Sequence, residues 1–345
     1  QPLHAVAFEP QCGLDVVLRE CDVEIRIVVV GEGVVVAACH LHGQVEIRNF
    51  ARAAEHQVFE QVGESRACGV FVARPDLVED VHRGELILVD TSHAYVFPAS
   101  DATLIDLRSS RSEKWGTSAS GNMIHSYSCS FDVKLNAVAA KNLNNMIDDF
   151  YDATKNQDVY FPQGSGYRDA AAQDTLHASK PGAEAPGGYS EHHTGLTVDF
   201  RAWLDNNSYP YISASEDASC VQIYTWLNTN CYKYGFIQRY PQSKSSVTKS
   251  SHYADHYRYV GYPHALAMMR NDLCLEEYLT VLATRHPYTG THYIMNGDDG
   301  VTYEIYYVPA ATGEGATTSV PVPTDMPYTI SGNNYDGFIV TITRK

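Results

Sequence analysis

The sequence predicts an α+β protein: a small antiparallel sheet flanked by helices, a β appendage at the C-terminal end, and an N-terminal segment of uncertain order. Three observations predict it. Ala139, Leu143, Met146, Ile147 and Phe150 recur at helical spacing over about 134–153, and Cys220, Ile223, Leu227 and Cys231 do so over 216–234. Short runs rich in β-branched and aromatic residues fall between and after these helices. Beyond Arg285, Thr302–Val308 and Gly337–Thr343 alternate apolar and polar residues, with Gly, Pro and Asn turns between them.

Three stretches are expected from these patterns: residues 1–83 as an uncertain Val-rich segment, 84–285 as the main domain, and 286–345 as a small β extension. Residues 1–83 contain seventeen valines and four of the eight cysteines but no Lys, Tyr, Met or Trp. The run Ile25–Val36 suggests a hairpin turning at Gly31-Glu32-Gly33, and 52–62 suggests a short helix. Such a composition fits either a small β-rich accessory domain or a poorly specified segment, and the second is preferred.

Within the main domain, Glu85–Asp90 is a strand candidate, as are Asp158–Phe161, Leu196–Phe200, Gly235-Phe236-Ile237 and His256–Val260. Further helices are expected over 169–179, 264–270 and 274–283. The Gly/Pro-rich stretch 181–188 reads as a loop.

A formal net charge of −16 argues against nucleic acid or an anionic membrane surface as the main partner. No apolar run reaches the roughly 18 residues of a membrane span, so no transmembrane segment is expected. The first residue is Gln1, so any secretion signal is expected to lie before it. The cysteines form no C-x-x-C pair, which disfavours a thiolate zinc cluster, and they read as small buried apolar residues. Oligomeric state is not legible.

The candidate chemistry lies in Ser190-Glu191-His192-His193-Thr194-Gly195-Leu196-Thr197-Val198-Asp199, followed by His256. His192 and Asp199 can offer two ligands from one loop–strand unit, with Gly195 allowing a tight turn between them. His256 can offer a third. Two imidazoles and one carboxylate suit Zn2+ and leave its fourth position open, the catalytic rather than the structural pattern. His193 is a rival ligand, but adjacent residues on an extended segment face opposite ways.

These residues carry a family resemblance. Ser190–Asp199 resembles the S-x-H-x-x-G-x-x-x-D motif of the D-alanyl-D-alanine metallocarboxypeptidases, the VanY-like zinc peptidases with a hedgehog-type fold. Ser165-Gly166-Tyr167-Arg168 with Gln173 resembles the family's SGYR…Q segment. Tyr234–Pro241 with Lys244 and Thr248 resembles its YGF…RYP…K…T segment, and His256–Gly261 its terminal H-aromatic-RYVG. The resemblance covers about 84–285. It implies His192, Asp199 and His256 as zinc ligands, Arg168 as the group that polarises the scissile carbonyl or holds substrate, and Gln173 and Ser190 near substrate. Arg239 and Arg258 stand in matching segments as possible braces of the fold.

One position departs from the family. Its Glu-x-x-His general base falls on Tyr253, with Asp255 just before His256. Losing a general base typically costs about 10²–10⁴-fold in rate. Asp255 can replace it; or Tyr253 can donate to the oxyanion while Glu191 or Asp205 acts as base; or the site binds without efficient turnover. The resemblance thus implies a zinc D,D-carboxypeptidase trimming peptidoglycan stem peptides outside the cytoplasm. The alternative is a zinc-retaining cell-wall or peptide-binding module of the same fold.

Overall fold

The computed structural model describes residues 6–8, 15–20, 23–30, 33–39, 71–74, 79–98, 104–112, 121, 124–180, 182–204, 207–209, 217–250, 253–313 and 316–344. At 6–80 and 207–209 the description is of the main chain alone. The chain forms two compact units, one of residues 85–279 and one of residues 1–84 with 280–345.

In the second of these, β1 (Val6–Phe8), β2 (Asp15–Glu20), β3 (Val23–Val30), β4 (Gly33–Cys39) and β5 (Phe71–Arg74) pair antiparallel in that order. β3 and β4 make a hairpin with Val30 opposite Gly33, where the β-branched run predicts one. The helix expected at 52–62 lies outside the described residues.

Residues 85–279 carry the candidate site. The strand expected at Glu85–Asp90 joins no ladder among the described residues. Leu86, Ile87, Leu88 and Val89 are buried, but the carbonyls of Glu85 and Ile87 accept from Arg258 Nη2 at 3.1 and 3.0 Å. A guanidinium takes the acceptors that a neighbouring strand would need.

The elements that follow are β6 (Leu104–Asp106), β7 (Ser128–Cys129), β8 (Lys134–Asn136), α1 (Ala137–Thr154), β9 (Val159–Phe161), α2 (Ala170–Ser179), β10 (Thr197–Asp199), β11 (Arg201–Leu204), β12 (Asn207–Tyr209), α3 (Ala218–Asn230), β13 (Phe236–Tyr240), α4 (Ser245–Thr248), β14 (Tyr253–Tyr259), α5 (Tyr262–Asn271) and α6 (Leu275–Arg285). The helix starts are legible in the side chains. Asn136, Asp169 and Asp217 each accept a main-chain N–H of the first turn, satisfying donors that have no partner within the helix.

α1 supplies one wall of the core. Its Ala139, Ala140, Leu143, Met146, Ile147 and Phe150 are buried in a cluster with Phe161, Phe200, Ile223, Leu227 and Tyr257. Phe200 links the sheets, its ring centroid 5.0 Å from that of Phe161 and 4.8 Å from that of Tyr257. Each fully buried Leu, Ile, Met or Phe side chain among these contributes roughly 1.5–3 kcal/mol.

The sheet β10-β14-β13 positions the chemistry. Its strands are antiparallel, with Asp199 opposite His256, Val198 opposite Tyr257, and Thr197 and Ile237 flanking Arg258. Alternation sends Val198, Tyr257, Tyr259 and Phe236 into the core and leaves His256 and Arg258 on the other face. The strand is irregular lower down. Gln238 pairs with Tyr257 but Tyr240 with Tyr253, so β14 carries extra residues against β13 at 254–256. The alternation of faces along β14 is therefore interrupted at 254–256.

The remaining strands are β15 (Tyr293–Asn296), β16 (Thr302–Pro309), β17 (Val320–Pro323), β18 (Tyr328–Gly332) and β19 (Gly337–Arg344), in the same compact unit as β1–β5. Four make a sheet in the order β15-β16-β19-β18, while β17 pairs with β5 and completes a six-stranded sheet. Tyr306, Phe338, Val340 and Ile342 pack with Val320 and Val322. Cys129, Cys220, Cys231 and Cys274 are buried free thiols. Among the described residues no helix is long and apolar enough to cross a membrane.

Candidate metal centre

His192 lies on a 3-10 turn, Glu191–Thr194, between Ser190 and Gly195. Ser190 Oγ accepts from the His192 N–H at 3.4 Å. Gly195 ends the turn with φ 67, a left-handed conformation, and a Cβ there would meet Leu104 Cδ2 at 2.6 Å. The chain then passes directly into β10 and Asp199.

The Ser165–Arg168 segment laces this turn to the strand. Ser165 O accepts from Asp199 N at 2.9 Å, and Arg168 N donates to His192 O at 3.3 Å. His192 Nδ1 donates to Gly166 O at 2.7 Å. A carbonyl only accepts, so the proton sits on Nδ1 and the Nε2 lone pair is left for another partner. Gly166 has no room for a side chain, since a Cβ would fall 2.4 Å from Lys134 O.

His192, Asp199 and His256 each offer one ligand atom, and these atoms lie within 4.8 Å of one another. His192 Nε2 is 3.3 Å from Asp199 Oδ2, and His256 Nδ1 is 2.9 Å from Asp199 Oδ1. Burial, with the Arg168 charge, lowers His192 to about 4. Burial also disfavours a charged His256, but the carboxylates of Asp199 and Glu191 prevail and raise it to about 9. Burial raises Asp199, yet the two imidazoles hold its carboxyl well below the usual range. The donor set fits zinc: two imidazole nitrogens and a carboxylate oxygen, with His192 already in the ligating tautomer.

Of the other candidates, Arg168 lies beside this cluster, and Gln173 and Tyr253 are defined by bonds of their own. Arg168 Nη1 is 3.9 Å from Asp199 Oδ2 and donates to Gly164 O at 3.0 Å. Gln173 is fully buried, and its amide donates to Ala185 O at 2.7 Å, bracing the 181–188 loop. The Tyr253 hydroxyl donates to Ala183 O of the same loop at 2.6 Å. Asp255 is half-buried, and burial together with the Asp199 charge raises its carboxyl. His193 stands outside the cluster. Its Nδ1 donates to Arg168 O at 2.6 Å and its Nε2 accepts from Gly188 N at 2.9 Å. The segment is a 3-10 turn rather than extended chain, so hydrogen bonding, not strand alternation, occupies this ring.

The role of Glu191 escapes a reading of the motif alone. It is buried, and its Oε1 accepts from Arg239 Nε at 2.9 Å and Arg258 Nη1 at 3.1 Å. Burial pushes Glu191 up, but the two guanidiniums hold it ionised far below the ordinary range. Arg239 also makes a two-bond pair with Glu276 at 2.9 and 2.7 Å. The signal was present in the sequence as two arginines on core strands, whose burial requires a carboxylate close by. Asp205, the other rival base, lies outside the described residues.

Two imidazoles and a carboxylate that could hold a metal ion, with the half-buried Arg168 guanidinium 3.9 Å from the carboxylate, are a donor set of the kind metallopeptidases use. Residues 132–262 match the VanY D-alanyl-D-alanine carboxypeptidase family. A D-alanyl-D-alanine carboxypeptidase of Enterococcus faecium is 31% identical over 267 residues, 76% of this chain and 77% of the relative. The putative carboxypeptidase YodJ of Bacillus subtilis is 35% identical over 137 residues, 37% of this chain and 48% of the relative. Among solved structures, the vancomycin resistance D,D-dipeptidase VanXYg, in complex with a D-Ala-D-Ala phosphinate analogue, superposes with a TM-score of 0.61 at 26% identity. That superposition covers 79% of this chain and 98% of the other. The chain belongs to the VanY family of D-alanyl-D-alanine carboxypeptidases.

Proposed function

We propose that this chain is a zinc-dependent D,D-carboxypeptidase that removes the terminal D-Ala from peptidoglycan stem peptides, acting outside the cytoplasm. The observation that carries the reading is the convergence of His192, Asp199 and His256 within 4.8 Å, beside Arg168. His192 Nε2, an Asp199 oxygen and His256 Nδ1 would hold the metal. Zinc, when bound, supplies a Lewis acid that polarises the scissile carbonyl and acidifies water.

The protein's own groups do the rest. The Arg168 guanidinium, 3.9 Å from Asp199, holds the substrate carbonyl oxygen and stabilises the negative charge that develops on it. Asp255 accepts the proton from the attacking water, its carboxyl made more basic by burial and by Asp199. Gln173 and Ser190 shape the wall of the substrate site, Gln173 through its bond to Ala185. A second reading, a zinc-retaining peptide-binding module with little turnover, is favoured by Tyr253, whose hydroxyl is committed to Ala183 at the family's glutamate position.

D-Alanine release from a pentapeptide stem with added zinc decides between them. The carboxypeptidase reading expects release that D255N lowers by about 10²-fold or more. A folded, zinc-loaded protein that releases none leaves the binding module. Full activity in D255N removes Asp255 as the base.

A further inference from the structure

Glu191 is a buried carboxylate for which the proposed reaction has no use as an acid or base. Its two oxygens have different surroundings. Oε1 is filled by Arg239 and Arg258. Oε2 is buried without a hydrogen-bond partner and lies 3.5 Å from His256 Nε2, which is also buried and without one. The opposite nitrogen of the same ring, Nδ1, faces Asp199 at 2.9 Å. The imidazole therefore stands between Glu191 and the ligand cluster, which keeps Glu191 away from attacking water.

We propose that Glu191 is a positioning residue: its Oε2 accepts the Nε2–H of His256 and so fixes the tautomer and ring orientation that present Nδ1 to the metal. This inference rests on the zinc reading of the site. A neutral imidazole carries one ring proton, so a ring that ligates through Nδ1 carries it on Nε2. Buried there without an acceptor, that N–H would cost about 1–3 kcal/mol. Glu191 reaches it because the 3-10 turn places residues 191 and 192 on one short arc, with His192 ligating directly and Glu191 passing behind His256. The two arginines fix the carboxylate in place, so little ordering is left to be done when metal binds. A carboxylate behind a ligating histidine raises the basicity of the ring and typically strengthens metal binding about 10–100-fold.

Two measurements test this. Zinc affinity by chelator competition is expected to weaken about 10–100-fold in E191Q relative to wild type, with folding checked by circular dichroism. Long-range ¹H–¹⁵N spectra of the zinc-loaded wild type are expected to show His256 protonated on Nε2. E191Q folded, with zinc affinity within about twofold of wild type, overturns the proposal, as does a His256 proton on Nδ1. If E191Q does not fold, the same zinc competition on E191D, whose shorter side chain keeps the charge beside Arg239 and Arg258 but withdraws the carboxylate from His256 Nε2, decides by the same criterion. Wild type that binds no zinc sinks the metal reading itself, whereas zinc binding indifferent to E191Q sinks only the role of Glu191.

Discussion

Replacing Arg258 with methionine should be among the most damaging single changes in residues 85–279. The side chain is fully buried and donates to Glu191 Oε1, to the carbonyls of Glu85 and Ile87, and to Tyr259 O. Breaking a buried ion pair costs about 3–5 kcal/mol, and the low end applies because Arg239 still serves Glu191. The two carbonyls at 85 and 87 lose the donor that stands in for a neighbouring strand, at about 1 kcal/mol or more each. The sum is about 5 kcal/mol. For a unit of this size each kcal/mol moves Tm by roughly 2–4 °C, so R258M should melt about 10–20 °C lower. Calorimetry gives the shift, and limited proteolysis should show earlier cutting at 85–89. A loss below about 4 °C, with 85–89 as protected as in wild type, would refute the view that this guanidinium replaces a sheet partner.

Two other outcomes follow from the geometry. His264 is buried, with Nδ1 2.8 Å from the Tyr278 hydroxyl, and burial lowers it to about 3. Its folded pKa lies below the unfolded value near 6.5, so the unfolded chain takes up the proton first as pH falls. The His264 contribution is complete above about pH 6.5 and is lost toward pH 3, at up to about 1.4 kcal/mol per pH unit. H264Q should flatten the denaturant-midpoint profile between pH 6.5 and 4.5; an unchanged slope would exclude this histidine as a source of acid lability. His193 has both ring nitrogens engaged by main-chain groups, so H193Q should keep the zinc stoichiometry of wild type while H192A loses it, as read by atomic absorption after dialysis.

Much of the architecture follows from local pattern. The apolar spacing of Leu143, Met146, Ile147 and Phe150 marks α1, and all four are buried. The alternating run at 302–308 becomes β16, and that at 337–343 becomes β19. Glu85–Asp90 reads as a strand because β-branched and apolar content reports burial, not who supplies the hydrogen bonds. Only the fold brings a guanidinium from residue 258 to those carbonyls. The same holds for His193, whose local sequence cannot reveal that a 3-10 turn aims both nitrogens at the main chain. The three residues that converge, His192, Asp199 and His256, are nameable from motif spacing; the layered partners behind them, Glu191, Arg239 and Glu276, depend on contacts between segments far apart in the chain.

The facing pair Asp199 and His256 has a consequence for how this chain can change. The two stand opposite each other across β10 and β14, though 57 residues apart in sequence. Their meeting depends on strand register and not on the length of what lies between. Residues can be gained or lost around α3 without altering how these two side chains face each other. A single insertion inside Thr197–Asp199 or Tyr257–Tyr259 would exchange the two faces of the sheet, drawing an ionisable side chain toward Phe200 and presenting an aromatic ring to His192. Variation in length is thus cheap in the connecting segments and ruinous within a few residues of Asp199 or His256.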